Sequence, residues 1–278
     1  MQIGIRLHDV MDAPLGERLN IAAKQGFACA HVALSKVIRE FPVNNDALTP
    51  GMAMYLKRLF QEQGLDFAVL GCYLNLANPD KEQLKKITDT YIAHLRFASL
   101  LGCGVVGTET GCPNVEYKHD PASRTEEAYQ TFAANLRLVV EAAEKLGVLV
   151  AIEPVRSHII YDSKRARRLL DEVNSPNLQI ILDPVNLLAM DNYEQQTYVL
   201  EEAIELLGKE TAVVHIKDYN VQNGAIVSCG AGLGGFNYDP LIKFIKQKKP
   251  FIHCTLEDTK PDNAVGCRKH IQAMWDKL

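Results

Sequence analysis

The sequence predicts an α/β protein built as a single (β/α)₈ TIM barrel over residues 1–278, and three observations lead there. The length divides into eight units of about 35 residues, each room for a strand, a helix and two short loops. Short apolar runs alternate with stretches of helical period from one end to the other, which implies a parallel sheet. The turn after the first run, His8-Asp9-Val10-Met11-Asp12, contains no glycine. An open doubly wound sheet usually carries its Gly-rich phosphate turn there, so the closed barrel is favoured.

The elements follow in order. Apolar runs at 2–8, 29–34, 66–76 and 104–109 precede amphipathic stretches at 14–25, 50–63, 81–101 and 125–146. Gly26, Gly64, Gly102 and Gly147 stop those four helices, as glycine does past a helix end. The second half repeats the rhythm: 148–155 then 163–173, 178–186 then 193–207 with Gly208 as the stop, 212–219 then 239–248, and 251–257 then 264–278. One segment, 221–238, breaks the pattern and reads as a long loop after the seventh strand, on the catalytic face. It contains Gly230-Ala231-Gly232-Leu233-Gly234-Gly235. Glycine-rich turns near the last barrel strands can bind phosphate through backbone N–H groups or hinge a lid; this one holds no Lys or Arg.

Composition excludes several classes. A net charge of −4 and scattered basic residues give no footprint for nucleic acid. No run reaches the roughly 18 apolar residues that a membrane helix needs. The N-terminus enters a strand-like run at once, without the pattern of a signal peptide. Seven cysteines, with no C-x-x-C pair, read as free thiols among small and apolar neighbours. The expectation is a cytoplasmic protein.

Barrel active sites form at the C-terminal ends of the strands. In the second half those ends read Ile152-Glu153-Pro154, Leu182-Asp183-Pro184, Val214-His215-Ile216-Lys217-Asp218 and Leu256-Glu257-Asp258. The successive spacings, Glu153 to Asp183, Asp183 to His215 and His215 to Glu257, are 30, 32 and 42 residues: two single units, then one unit plus the irregular loop. Four ionisable residues therefore meet on one rim. Three carboxylates converging without a cation would repel, and one divalent ion resolves that. Three carboxylates and an imidazole suit Mn²⁺ first, then Mg²⁺ or Co²⁺, with Zn²⁺ or Fe²⁺ also compatible.

Other strand ends supply candidate substrate contacts. Arg6 and His8 alternate inward with Gly4 on the first strand. Asn75 beside Tyr73, and Glu109, end the third and fourth strands and could hold sugar hydroxyls or cap turns. Arg156 and His158 leave the fifth strand. Lys217 follows His215 by two positions and so shares its side, for a substrate contact or a salt bridge to Asp183 or Asp218. His31, His94, His119, His253 and His270 read as packing or surface residues, and Trp275 as packing.

These four strand ends, with His215-Ile216-Lys217-Asp218 and Thr255-Leu256-Glu257-Asp258, resemble the xylose isomerase-like barrels, and the resemblance covers the whole chain. That family includes sugar-phosphate isomerases and epimerases, ketose 3-epimerases and inosose dehydratases. The resemblance implies one metal binding a substrate's carbonyl and neighbouring hydroxyl. It implies Glu153 and Glu257 as both ligands and acid/base pair, and Asn186 among the substrate contacts. It also implies a dimer or tetramer acting on a small sugar or sugar phosphate. A proton next to a carbonyl is too weakly acidic for a lone carboxylate, and a metal-bound enediolate lowers that barrier. Two carboxylates on opposite faces of the substrate would serve epimerisation. The chain departs from the ketose 3-epimerases at Asn186, where they carry histidine, and after Asp218, where they carry arginine. Tyr73, Glu109 and Asn186 stand where the three-metal DNA-repair branch needs histidines, which argues against that activity. The rival reactions are dehydration of an inosose- or dehydroshikimate-like substrate and, in another class, sugar binding without catalysis.

Overall fold

A computed structural model describes residues 1–277. Eight parallel strands close a barrel: β1 (Gln2–Arg6), β2 (Cys29–Val32), β3 (Asp66–Gly71), β4 (Val105–Glu109), β5 (Leu149–Glu153), β6 (Leu178–Leu182), β7 (Thr211–Ile216) and β10 (His253–Leu256). Helices α1 (Leu15–Lys24), α3 (Pro50–Glu62), α4 (Lys81–Leu101), α5 (Glu126–Leu146), α6 (Ser163–Val173), α7 (Gln196–Leu207), α8 (Asp239–Lys248) and α9 (Ala264–Lys277) follow them. The four-residue α2 (Leu34–Val37) sits at the end of β2. Side-chain caps start several of these helices: Asp80 accepts from the N–H groups of Glu82 and Gln83, and Thr125 from that of Ala128. Gly102 and Gly147 end α4 and α5 with φ of +79° and +66°, a conformation in which a Cβ is strained. Gly208, expected to stop α7 in the same way, keeps a right-handed φ of −58°. Its missing Cβ instead makes room for Phe244.

The segment expected to be an irregular loop contains an antiparallel hairpin. Strand β8 (Asp218–Gln222) pairs with β9 (Ala225–Cys229), joined by Asn223-Gly224 with positive φ at both residues. Asn-Gly is the pair that a two-residue turn of this twist requires, so the signal was present in the sequence. All the barrel strands but β4 also end earlier than their apolar runs. Past β6, Asp183 Oδ1 accepts from the N–H groups of Val185 and Asn186, bending the chain into a short 3₁₀ turn. Among the described residues, no helix is long and apolar enough to cross a membrane.

Period-two alternation divides the strands between two cores. Val150, Ile152, Ile180, Leu182, Val214, Ile216, Cys254 and Leu256 face the helices in the large outer core. Cys29, Val69, Val105, Ala151, Ile181 and Val213 pack inside the barrel. Space there is tight: a Cβ on Gly107 would lie 2.6 Å from Val69 and 2.7 Å from Ile181. The interior is therefore filled, and its upper layer opens only where the strands end.

Candidate metal centre

Two residues beyond each interior side chain the pleat turns inward again, at the top of the barrel. Ala151 leads to Glu153, Ile181 to Asp183, Val213 to His215 and then Lys217, and Thr255 to Glu257. All four acidic or imidazole side chains are buried, and each offers a ligand atom within 4.8 Å of the others. Donors on opposite sides of an ion with bonds of about 2.0–2.2 Å stand about 4 Å apart, so a single ion can bridge this set. His215 Nδ1 lies 3.2 Å from Glu153 Oε2 and 3.2 Å from Glu257 Oε1. Neither ring nitrogen of His215 has a hydrogen-bond partner. Buried ring nitrogens without partners, facing carboxylates, fit a divalent ion.

Electrostatics of the cluster point the same way. Burial pushes the Asp183 carboxyl up, Lys217 opposes it and the neighbouring glutamates add to it, leaving it at about 6. Burial disfavours the His215 imidazolium, but Glu257 and Glu153 outweigh that and raise it to about 9. Burial likewise works against the Glu257 carboxylate, yet His215, Lys217 and Arg6 hold it well below the usual range. Lys217 Nζ sits 2.9 Å from Asp183 and 3.4 Å from Glu257. Of the two salt bridges weighed for Lys217, the one to Asp183 is the one that forms, and Lys217 also lines the cavity above the cluster. Asn186 Nδ2 donates to Glu153 Oε1 at 2.6 Å, tying down one oxygen and leaving the other toward His215.

A cavity of about 260 Å³ opens above these residues, and the first half of the barrel supplies its other wall. Arg6 reaches it from β1 and is held by Asp9, Asp258 and, at 3.6 Å, Glu257. Glu109 lines it from β4, with Tyr117 donating to its carboxylate at 3.3 Å. Burial, with repulsion from Glu153 and Glu257, raises the Glu109 carboxyl to about 7. His158 stands 3.8 Å from Glu109, and burial lowers it to about 4. Arg156 points away to Asp191.

Three expectations need correction. Asn75 does not line the cavity: its amide is buried, donates to the carbonyls of Cys112 and Asn114, and accepts from the N–H groups of Ala77 and Cys112. All four of its hydrogen-bonding sites are used on loop backbone, which leaves none for a substrate. The glycine cluster offers no free phosphate cradle, because the Asp218 carboxylate accepts from the N–H groups of Gly232 and Phe236. His31, read as packing, is part of the site. It stacks on His215 at 5.2 Å and on Tyr73 at 5.5 Å, and both of its ring nitrogens lack partners. Its signal was the same alternation: His31 pairs in register with Arg6 and is two residues past the interior Cys29. Together with His215 and Glu257 it forms a second group able to approach an ion.

A family model described as xylose isomerase-like TIM barrel matches residues 19–274. The chain belongs to that family. Among solved structures, this xylose isomerase-like chain is similar to a 3-keto-D-glucoside 4-epimerase from E. coli, with 16% identity over 98% of this chain and 99% of the other, and a TM-score of 0.76. It is also similar to an IOLI protein with a bound zinc atom, at 18% identity over 100% and 99% of the two chains and a TM-score of 0.75. A third is the probable 3-DHS dehydratase AsbF from Bacillus anthracis, at 15% identity over 98% and 99% and a TM-score of 0.75. At these identities the likeness is one of fold. No curated protein matches the sequence.

Proposed function

We propose that this xylose isomerase-like barrel is a divalent-metal-dependent isomerase or epimerase of a small sugar or sugar phosphate, moving a proton next to a carbonyl. The observation that carries the reading is the buried Glu153/Asp183/His215/Glu257 set beneath a polar cavity. A bound ion would polarise the substrate carbonyl and lower the acidity barrier at the neighbouring carbon. Mn²⁺ is the proposed ion, since the set holds three hard carboxylate donors and one imidazole.

Glu153 and Glu257 flank His215 from strands on either side of it and are the proposed acid/base pair. Glu153 presents Oε2 because Asn186 engages Oε1. Lys217, held by Asp183 and Glu257 and lining the cavity, would offer its positive charge to an oxyanion developing on the substrate. Arg6 borders the substrate and is kept rigid by its three carboxylates, whereas His158, expected as a contact, does not line the cavity and stands 3.8 Å from Glu109.

Dehydration is the second reading, and Glu109 favours it. A carboxyl protonated near neutral pH on the cavity wall can donate its proton to a departing hydroxyl.

The test begins with metal content of purified protein beside Glu153→Gln and His215→Ala. Near one equivalent in the parent and clear loss in His215→Ala are expected. Ketoses and ketose phosphates are then incubated in D₂O with Mn²⁺. Deuterium at the α-carbon supports proton transfer, and an unsaturated product selects dehydration. No exchange with any substrate would leave a sugar-binding barrel without catalysis.

A further inference from the structure

The cavity above the metal cluster is not closed on its outer side. A groove of about 660 Å³ adjoins it, and Ala33, Lys36 and Tyr73 line both. The larger space contains none of the four metal-cluster residues, so the chemistry belongs to the smaller one. At about 260 Å³ the inner cavity lies below the roughly 300–1,000 Å³ of ordinary small-molecule sites and suits a single sugar ring. The two spaces together exceed what one ring fills.

The groove runs outward between the end of β2, the end of β3 and helix α4. Its walls alternate apolar and polar: Leu34, Val43 and Leu74 present carbon, whereas Ser35, Asn44 and His94 present hydrogen-bonding groups. That mixture matches a pyranose or similar unit, which shows C–H faces and hydroxyl edges. The ring of His94 is pinned through Nδ1 to the carbonyl oxygen of Thr90, so Nδ1 carries the proton and Nε2 is an acceptor. Burial lowers this imidazole from its usual value, keeping it neutral. The charged residues of the groove are one cation, Lys36, and one anion, Asp46. A phosphate dianion finds no surplus of positive charge there.

We propose that the substrate is a glycosylated sugar, with its reacting ring in the inner cavity and a neutral second unit, joined through a glycosidic bond, in the groove between Ser35, Val43 and His94. The inference rests on the catalytic reading for the identity of the reacting ring, and on the groove alone for the second unit.

The test compares D-fructose with the glycosyl ketoses turanose, isomaltulose and lactulose, and with D-fructose 6-phosphate. Binding to the Mn²⁺-loaded full chain is measured by calorimetry, and α-carbon exchange in D₂O is followed separately. At least one glycosyl ketose is expected to bind tenfold or more tightly than fructose. Ser35→Trp, at an exposed position, is expected to erase that advantage while fructose binding stays within twofold; Val43→Trp is the second blocking variant. Equal affinity for fructose and every glycosyl ketose overturns the inference, as does a tenfold advantage for the phosphate that Lys36→Met removes. Exchange of fructose without any glycoside preference sinks the groove and spares the catalytic reading. A Ser35-dependent glycoside preference without exchange supports the groove and sinks the catalysis.

Discussion

The two halves of the barrel rim obey one geometric rule and differ in charge. From β5 to β10 the inward residue at the strand end is Glu153, Asp183, His215 or Glu257, followed by Lys217, and these side chains are locked against one another. From β1 to β3 the inward residues are Arg6, His31 and, two positions past the interior Gly71, Tyr73. Burial drives His31 well below its usual value, and His8 beside it falls to about 4. One half is a wall of carboxylates, imidazole and ammonium able to hold an ion; the other sets the charged Arg6, held by Asp9, Asp258 and Glu257, beside a neutral patch in which His8 Nδ1, both ring nitrogens of His31 and the Tyr73 hydroxyl have no partner. The difference teaches that the pleat positions the rim while residue choice divides it into a carboxylate-rich side able to hold an ion and a side dominated by neutral rings.

Replacing a proton-transfer group on the carboxylate-rich side gives the largest expected effect. Glu257→Gln should lower α-carbon exchange by about 10²–10⁴-fold, the range for general acid–base catalysis. The same variant leaves Lys217 facing one carboxylate fewer. If exchange survives within tenfold, the acid/base role moves elsewhere and the division of the rim loses its meaning.

His31→Ala probes the boundary between the walls. With the ion on the Glu153/Asp183/His215/Glu257 set, metal affinity should fall by less than tenfold, while KM rises about tenfold through loss of a wall of the cavity. Metal analysis and steady-state kinetics on one preparation decide it. Complete loss of metal would place the ion against His31, His215 and Glu257 instead, and would merge the two walls into one centre.

Much of this was legible in the sequence, for a physical reason. A closed parallel barrel buries both faces of its strands, so apolar runs mark the strands and the first ionisable residue after each run marks the rim. That rule located Glu153, Asp183, His215 and Glu257. It applied equally to His31, where the short run Cys29–Val32 hid the alternation inside an apolar context. Loop residues obey no such period. Asn75 and Asp218 were legible as polar groups, but not the backbone groups that fill Asn75 or the N–H groups that engage Asp218. The hairpin after β7 failed for another reason: its strands are largely exposed, so no hydrophobic pattern announced them, and only Asn223-Gly224 did.

Below the rim, the two halves share one packed interior, and Gly107 measures how rigidly it supports them. Gly107→Ala brings a methyl to 2.6 Å from Val69 and 2.7 Å from Ile181, one from each half. Overpacking of this kind costs about 1–3 kcal/mol, which urea denaturation would read as a lower midpoint at unchanged slope. An unchanged midpoint would mean that the interior yields freely, and that rim geometry does not depend on it.

The smallest expected effect concerns Glu109, which stands where the halves meet on the cavity wall. Its folded-state carboxyl is raised to about 7 from an ordinary 4.5, so between those values the folded protein holds a proton that the unfolded chain has released. Stability contributed by this group is therefore complete below about pH 4.5 and is lost as pH rises through 7. Glu109→Gln removes the penalty. In metal-stripped protein the variant should gain on the order of 1–2 kcal/mol over the parent at pH 8, after allowance for partial exposure, and nothing at pH 4. A gain of equal size at both pH values would trace the effect to packing. A loss at pH 8 would mean that the Glu109 carboxylate is welcomed by the wall, against the burial and the repulsion from Glu153 and Glu257 that raise it.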